Sequence, residues 1–177
     1  MTGREIWTVI HGMGLGAAFL LAFAGGLAGL YSLRPEWVTV TGLRERSRRL
    51  VAGTWVMALA AWGTVLTGTW IVYPWYRAKA PAGVTGEALR EFPRNYLLAN
   101  ENLVFWHEFG MEWKEHVAWF SPIMATAVAY VVWRYRDQLP EMPFLRKSLI
   151  VVFIVSFATA GIAGALGAFI TKAAPIL

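Results

Sequence analysis

The chain contains no cysteine. Disulfides, thiolate metal sites, iron–sulfur clusters, cysteine nucleophiles and covalently attached c-type haem are thereby excluded, while the redox compartment is left open. Charge is scarce too. Asp, Glu, Lys and Arg make up 15% of the 177 residues, against 57% hydrophobic residues, which departs from the balance of soluble domains. Histidine occurs only three times, as His11, His107 and His116. No nucleic-acid-binding motif accompanies the net charge of +5, so the basic excess is read as membrane topology and nucleic acid is excluded as a partner. A phosphate-cradling loop is missing as well. His11-Gly12-Met13-Gly14-Leu15-Gly16 stands inside an apolar segment, with no strand before it and no P-loop lysine.

What the chain does have is long stretches without charge: Ile6–Leu33, Leu50–Tyr76, Val117–Trp133 and Ser148–Thr171. Each is near or above the ~17–25 residues that cross a bilayer as a helix. Backbone polar groups must be satisfied within lipid, and continuous apolar runs without strict alternation select helices over a β-barrel. The first stretch outlasts the ~7–15-residue apolar region of a signal peptide and is read as a retained span. The expected fold is all-α: one integral membrane domain over residues 1–177, a four-helix transmembrane bundle with spans at about 6–33, 50–76, 103–133 and 148–171.

The arginines orient it. Arg34, Arg44, Arg46, Arg48 and Arg49 fill the first loop, and Arg134, Arg136, Arg146 and Lys147 the third. Short loops rich in Lys and Arg are cytoplasmic, so both termini are expected outside, in a membrane of bacterial inner-membrane type. Trp70, Tyr73, Trp75 and Tyr76 form an interfacial belt at the end of span two, with Pro74 marking the helix end. In the second loop Pro93 limits order to short interfacial helices.

The stretch 102–130 carries the unusual residue types. A helix from about Leu103 begins outside the membrane and enters it near Lys114–Val117, so the third helix extends beyond the bilayer on the outer side. Glu108, Glu112 and Glu115 fall on one of its faces, with His116 near the edge. His107 and His116, nine residues apart, face opposite ways. Carboxylates with imidazole suit a divalent metal, so Glu108, Glu112, Glu115 and His107 are candidates for an outer metal site or a proton relay. The spacing is neither Glu-x-x-His nor His-Glu-x-x-His, and a solvated acidic face is the competing reading.

Spans one and three both enter from the outer side, which puts His11 and His116 at similar depth on different helices. Ionisable side chains within spans are rare and usually functional. Two histidines at one level supply the axial ligands of a single b-type haem, with His11 and His116 on the iron. Gly12, Gly14 and Gly16 leave room for the flat macrocycle. The competing reading makes both histidines interfacial anchors or proton-handling groups.

With these residues the layout resembles the small four-helix membrane b-type cytochromes that anchor or serve respiratory enzymes. The resemblance implies haem between helices on histidine pairs, often near quinone. Many such cytochromes hold two haems on four histidines; three histidines allow one at most. The leading expectation is thus an electron-transfer subunit of a respiratory or photosynthetic complex. It would hold one haem b near the outer face and exchange electrons with quinol or a partner redox protein, among other membrane subunits and the lipid bilayer. A cofactor-free structural or assembly subunit is the alternative. A small proton-coupled transporter ranks third, because the four stretches carry no charge at mid-depth.

Overall fold

The computed structural model describes residues 2–37 and 39–174. Among these residues the regular structure is entirely helical. Four helices are long and apolar enough to cross a membrane: α1 (Gly3–Ser32), α2 (Thr41–Tyr76), α4 (Trp106–Tyr135) and α5 (Pro143–Ala173). A short helix, α3 (Pro93–Leu98), lies between α2 and α4. The protein is an integral membrane protein by this measure. Its outward faces agree, since Leu21 is 73% exposed and Phe144 84%, a cost in water but none among lipid tails.

The helix ends follow from local chemistry. Thr2 and Glu5 form a capping box at the start of α1, with the Thr2 hydroxyl accepting from the Glu5 N–H at 3.2 Å and the Glu5 carboxylate accepting from the Thr2 N–H at 2.6 Å. At α2 the Thr39 hydroxyl accepts from the Gly42 N–H at 3.1 Å. This helix starts some residues before the apolar stretch does. Arg44–Arg49, expected as loop, is its first turns, braced by an Arg49–Glu45 pair at 2.7 Å. Charge marks where a membrane ends; arginine and glutamate are good helix formers and do not end a helix. α5 likewise starts at Pro143 instead of Ser148, a residue preset for the first helical position.

Neither proline inside a span breaks its helix. Pro74 was expected to end α2, yet the helix runs on to Tyr76, after a π-turn at Gly68–Val72. Pro122 follows a tight 3₁₀ turn at Val117–Trp119. In both places the backbone rewinds just ahead of the ring, where the missing N–H and the clash with the preceding turn fall. Two further π-turns occur, at Ile10–Gly14 in α1 and Trp106–Met111 in α4.

The chain forms two compact units, and each long helix contributes to both. One comprises Met1–Gly16, Gly63–Trp119 and Gly161–Leu177; the other comprises Ala17–Trp62 and Phe120–Ala160. The second is a conventional apolar core. Phe23 stacks on Phe157 with centroids 3.9 Å apart. Gly26 lets Phe153, fully buried, come so close that a Cβ there would lie 2.7 Å from the ring. Trp62 donates to Thr126 at 3.0 Å and Ser156 to the Ser121 carbonyl at 2.9 Å, so the buried polar groups are paired. Arg146 is buried here and donates to the Leu33 carbonyl, just past the end of α1. The first unit packs Tyr76, Leu97, Met111, Ile170 and Ala174 into a smaller core. All three π-turns lie in it.

Candidate functional site

His11 sits in the π-turn of α1 and reaches α2. Its Nδ1 is 3.0 Å from the Thr67 hydroxyl. The single proton of that hydroxyl goes to the Gly63 carbonyl, 2.7 Å away, so the oxygen accepts and Nδ1–H donates. Nε2 is therefore the basic nitrogen of the neutral ring, the one that would take a proton or a metal. The Cε1 edge of the ring meets α2 at Gly68, where a Cβ would come within 2.9 Å of Cε1. Only glycine allows that approach.

Lys114 on α4 lies in the same unit as His11. It crosses to α5, where its Nζ donates to the Ala163 carbonyl at 3.3 Å. Gly167 makes the seat, since a Cβ there would be 2.7 Å from Nζ. No carboxylate pairs with Lys114 among the described residues. The reason it points inward is its register. Gly110 and Ala118, four residues before and after, are both buried, as is Ser121, and residues at this spacing share a face.

A second group of polar side chains lies in the same unit. Tyr73 donates to the Glu115 carboxylate at 2.5 Å. The Tyr76 hydroxyl is 2.7 Å from His107 Nδ1, and Arg94 Nε is 3.5 Å from His107 Nε2. A guanidinium can only donate, so Nε2 accepts and Nδ1–H donates to the Tyr76 oxygen. The two tyrosine rings stack at 6.1 Å, and Arg77 lies over Tyr73 at 5.3 Å. Two phenols thus stand side by side, one on a carboxylate and one on an imidazole.

The remaining sequence candidates stand elsewhere. His116 is on the outward stripe of α4, its side chain 72% exposed, and pairs with Glu112 at 3.2 Å. No hydrogen bond or ring contact joins it to His11 among the described residues. Gly12, Gly14 and Gly16 face open space, with nothing within 4 Å of an added Cβ. Glu108 is exposed. Among the described residues no three histidine or acidic side chains converge as a metal would require. Glu115 and His107 are drawn to the tyrosine pair, whereas Glu108 and Glu112 are not.

Thr67, Tyr73, Tyr76, Arg94 and above all Lys114 were missed as site residues from the sequence. The signal for Lys114 was present in its four-residue spacing from Gly110 and Ala118. No family model matches the chain, and no curated protein or solved structure matches it either.

Proposed function

We propose that this protein is an integral membrane subunit that handles protons beside an electron-transfer partner, with the polar groups of the first unit as its working part. The observation that carries this reading is Lys114, an ionisable side chain turned in to the Ala163 carbonyl of α5, in the unit that also holds His11. Side chains of this kind inside a span are expensive and serve proton or ion pathways. The absence of charge from the apolar stretches ranked proton coupling last; Lys114 reverses that order. Tyr73–Glu115 and Tyr76–His107 supply acid–base pairs at hydrogen-bond distance. In this reading the arginine-rich loops face the cytoplasm of a bacterial plasma membrane. The termini and the first turns of α4 then lie on the outer side.

The test is proton flux into vesicles holding the purified protein and a pH dye, driven by a potassium diffusion potential. Wild type is expected to acidify them well above empty vesicles, and Lys114→Met to fall below roughly a tenth of that rate. Wild-type flux equal to that of empty vesicles, under both polarities, overturns the reading.

A haem b on His11 is the second reading, favoured by the hold of Thr67 on Nδ1, which leaves Nε2 for iron. A bound haem would supply one-electron chemistry. Its other axial ligand within this chain would be His116, which here keeps to Glu112 on an exposed face. A reduced-minus-oxidised spectrum of protein purified with its partners decides it: a b-type band that vanishes in His11→Ala supports the haem, and a colourless preparation removes it.

A further inference from the structure

We infer that Arg34, clamped by Tyr31 and Trp37, binds the headgroup of an anionic phospholipid. The site lies in the second unit and is independent of the proton-handling groups of the first. α1 ends at Ser32 and the chain turns at once. The Arg34 N–H donates to the Ser32 carbonyl at 2.9 Å, and the Trp37 N–H to the Arg34 carbonyl at 3.0 Å. The turn brings Trp37 edge-on to Tyr31, with ring centroids 6.1 Å apart. The Arg34 guanidinium lies over both rings, 4.4 Å from the Tyr31 centroid and 4.7 Å from that of Trp37.

A cation–π contact fixes the guanidinium but gives its five N–H donors no acceptor oxygen. No carboxylate or carbonyl meets those donors among the described residues. Both rings are exposed, and exposed aromatics at the end of a span sit at headgroup level. A guanidinium held there with its fork unused suits phosphate oxygens, which take paired donors. Leu20, three turns back along the Tyr31 stripe of α1, is exposed as well. An acyl chain would find an apolar track there, which a free phosphate has no use for.

The surrounding charge favours an anionic lipid over a zwitterionic one. Nine of the 16 lysines and arginines but only four of the 11 acids fall in residues 34–49 and 134–147, so these two segments carry the whole net charge of +5. They meet in the second unit, where Ser47 donates to the Arg136 carbonyl at 3.3 Å and Arg146 to the Leu33 carbonyl. Basic residues at a membrane surface attract anionic lipid.

The test follows melting of the purified protein in neutral detergent, titrated with phosphatidylglycerol or phosphatidylcholine. Phosphatidylglycerol is expected to raise melting, because a ligand of the folded state stabilises it, and phosphatidylcholine at equal mole fraction to do little. Arg34→Gln should need roughly tenfold more phosphatidylglycerol for the same rise. Trp37→Leu keeps the charge, loosens the clamp and should shift the titration the same way. Arg49→Gln removes an equal charge from the same end and should titrate like wild type. Equal rises with both lipids overturn the inference. So does an equal loss in Arg34→Gln and Arg49→Gln, which marks a diffuse charge effect, or an unshifted titration in both Arg34→Gln and Trp37→Leu. An equal rise with inorganic phosphate alone also overturns it, since the ligand is then a free anion.

Discussion

Replacing Gly68 by alanine puts a methyl group where the His11 ring now lies. The new Cβ would be 2.9 Å from Cε1, closer than carbon atoms pack, and 3.5 Å from Nε2. A flexible side chain would step aside cheaply, but this ring is tied to Thr67. Either the ring stays and the contact is overpacked, at about 1–3 kcal/mol, or it swings away and leaves its partner, at a similar cost of about 1–3 kcal/mol. Gly63→Ala on the same helix is the control, because its Cβ would meet Leu15 at an ordinary 3.4 Å. Both variants gain the same helix propensity, about 1 kcal/mol, so that contribution cancels between them. Gly68→Ala should thus be less stable than Gly63→Ala by about 1–3 kcal/mol. At ~2–4 °C per kcal/mol for a chain of this length, that is a gap of several degrees in nanodisc melting. Proton flux should fall in Gly68→Ala alone. Equal melting and equal flux in the two variants would refute the argument that His11 is pinned against α2.

Other outcomes follow from the same geometry. Thr67→Val keeps the shape but strips Nδ1 of its acceptor, so melting should show a loss of about 1–3 kcal/mol; an unchanged melt would mean the bond contributes nothing. Tyr73→Phe and Glu115→Gln should be non-additive in a double-mutant cycle by about 0.5–3 kcal/mol, whereas simple additivity would separate the two side chains. Lys114→Met removes an amine with one acceptor and fills its place with an apolar chain of similar length. It should lose flux while melting no lower than wild type, since it removes an inward polar group that no carboxylate offsets. In the second unit, Gly26→Ala meets Phe153 while Gly25→Ala meets nothing within 4 Å, so the former should melt lower by the overpacking cost, about 1–3 kcal/mol.

The spans were legible because lipid imposes one rule on every residue between its surfaces, and four uncharged stretches satisfy it. Helix ends were less so, because they obey capping chemistry and not hydropathy. The turn containing Arg44–Arg49 is helical and charged at once. The site was legible in part. His11 stood out as a lone ionisable group in an apolar run. Lys114 stands out less, because the apolar count starts only at Val117, one turn too late to show that the inward face includes it. His116, two residues on, lies about 200° around the helix from Lys114, so depth alone could not tell which of the two faces inward. Tyr73 and Tyr76 look like an interfacial belt in the sequence, since nothing local to them indicates that Glu115 and His107, more than thirty positions away, complete their hydrogen bonds.

The early start of α2 has a mechanical consequence. Its 36 residues extend about 54 Å at 1.5 Å per residue, against a hydrocarbon core of about 30 Å. A modest tilt absorbs only a small part of that excess. The helix must stand proud of the membrane like a post, with Arg44, Arg46, Arg48 and Arg49 as its rigid head. Trypsin, which needs an extended backbone, should cleave those arginines slowly although water reaches them, and a docking protein would meet guanidinium groups at fixed spacing instead of a flexible basic loop.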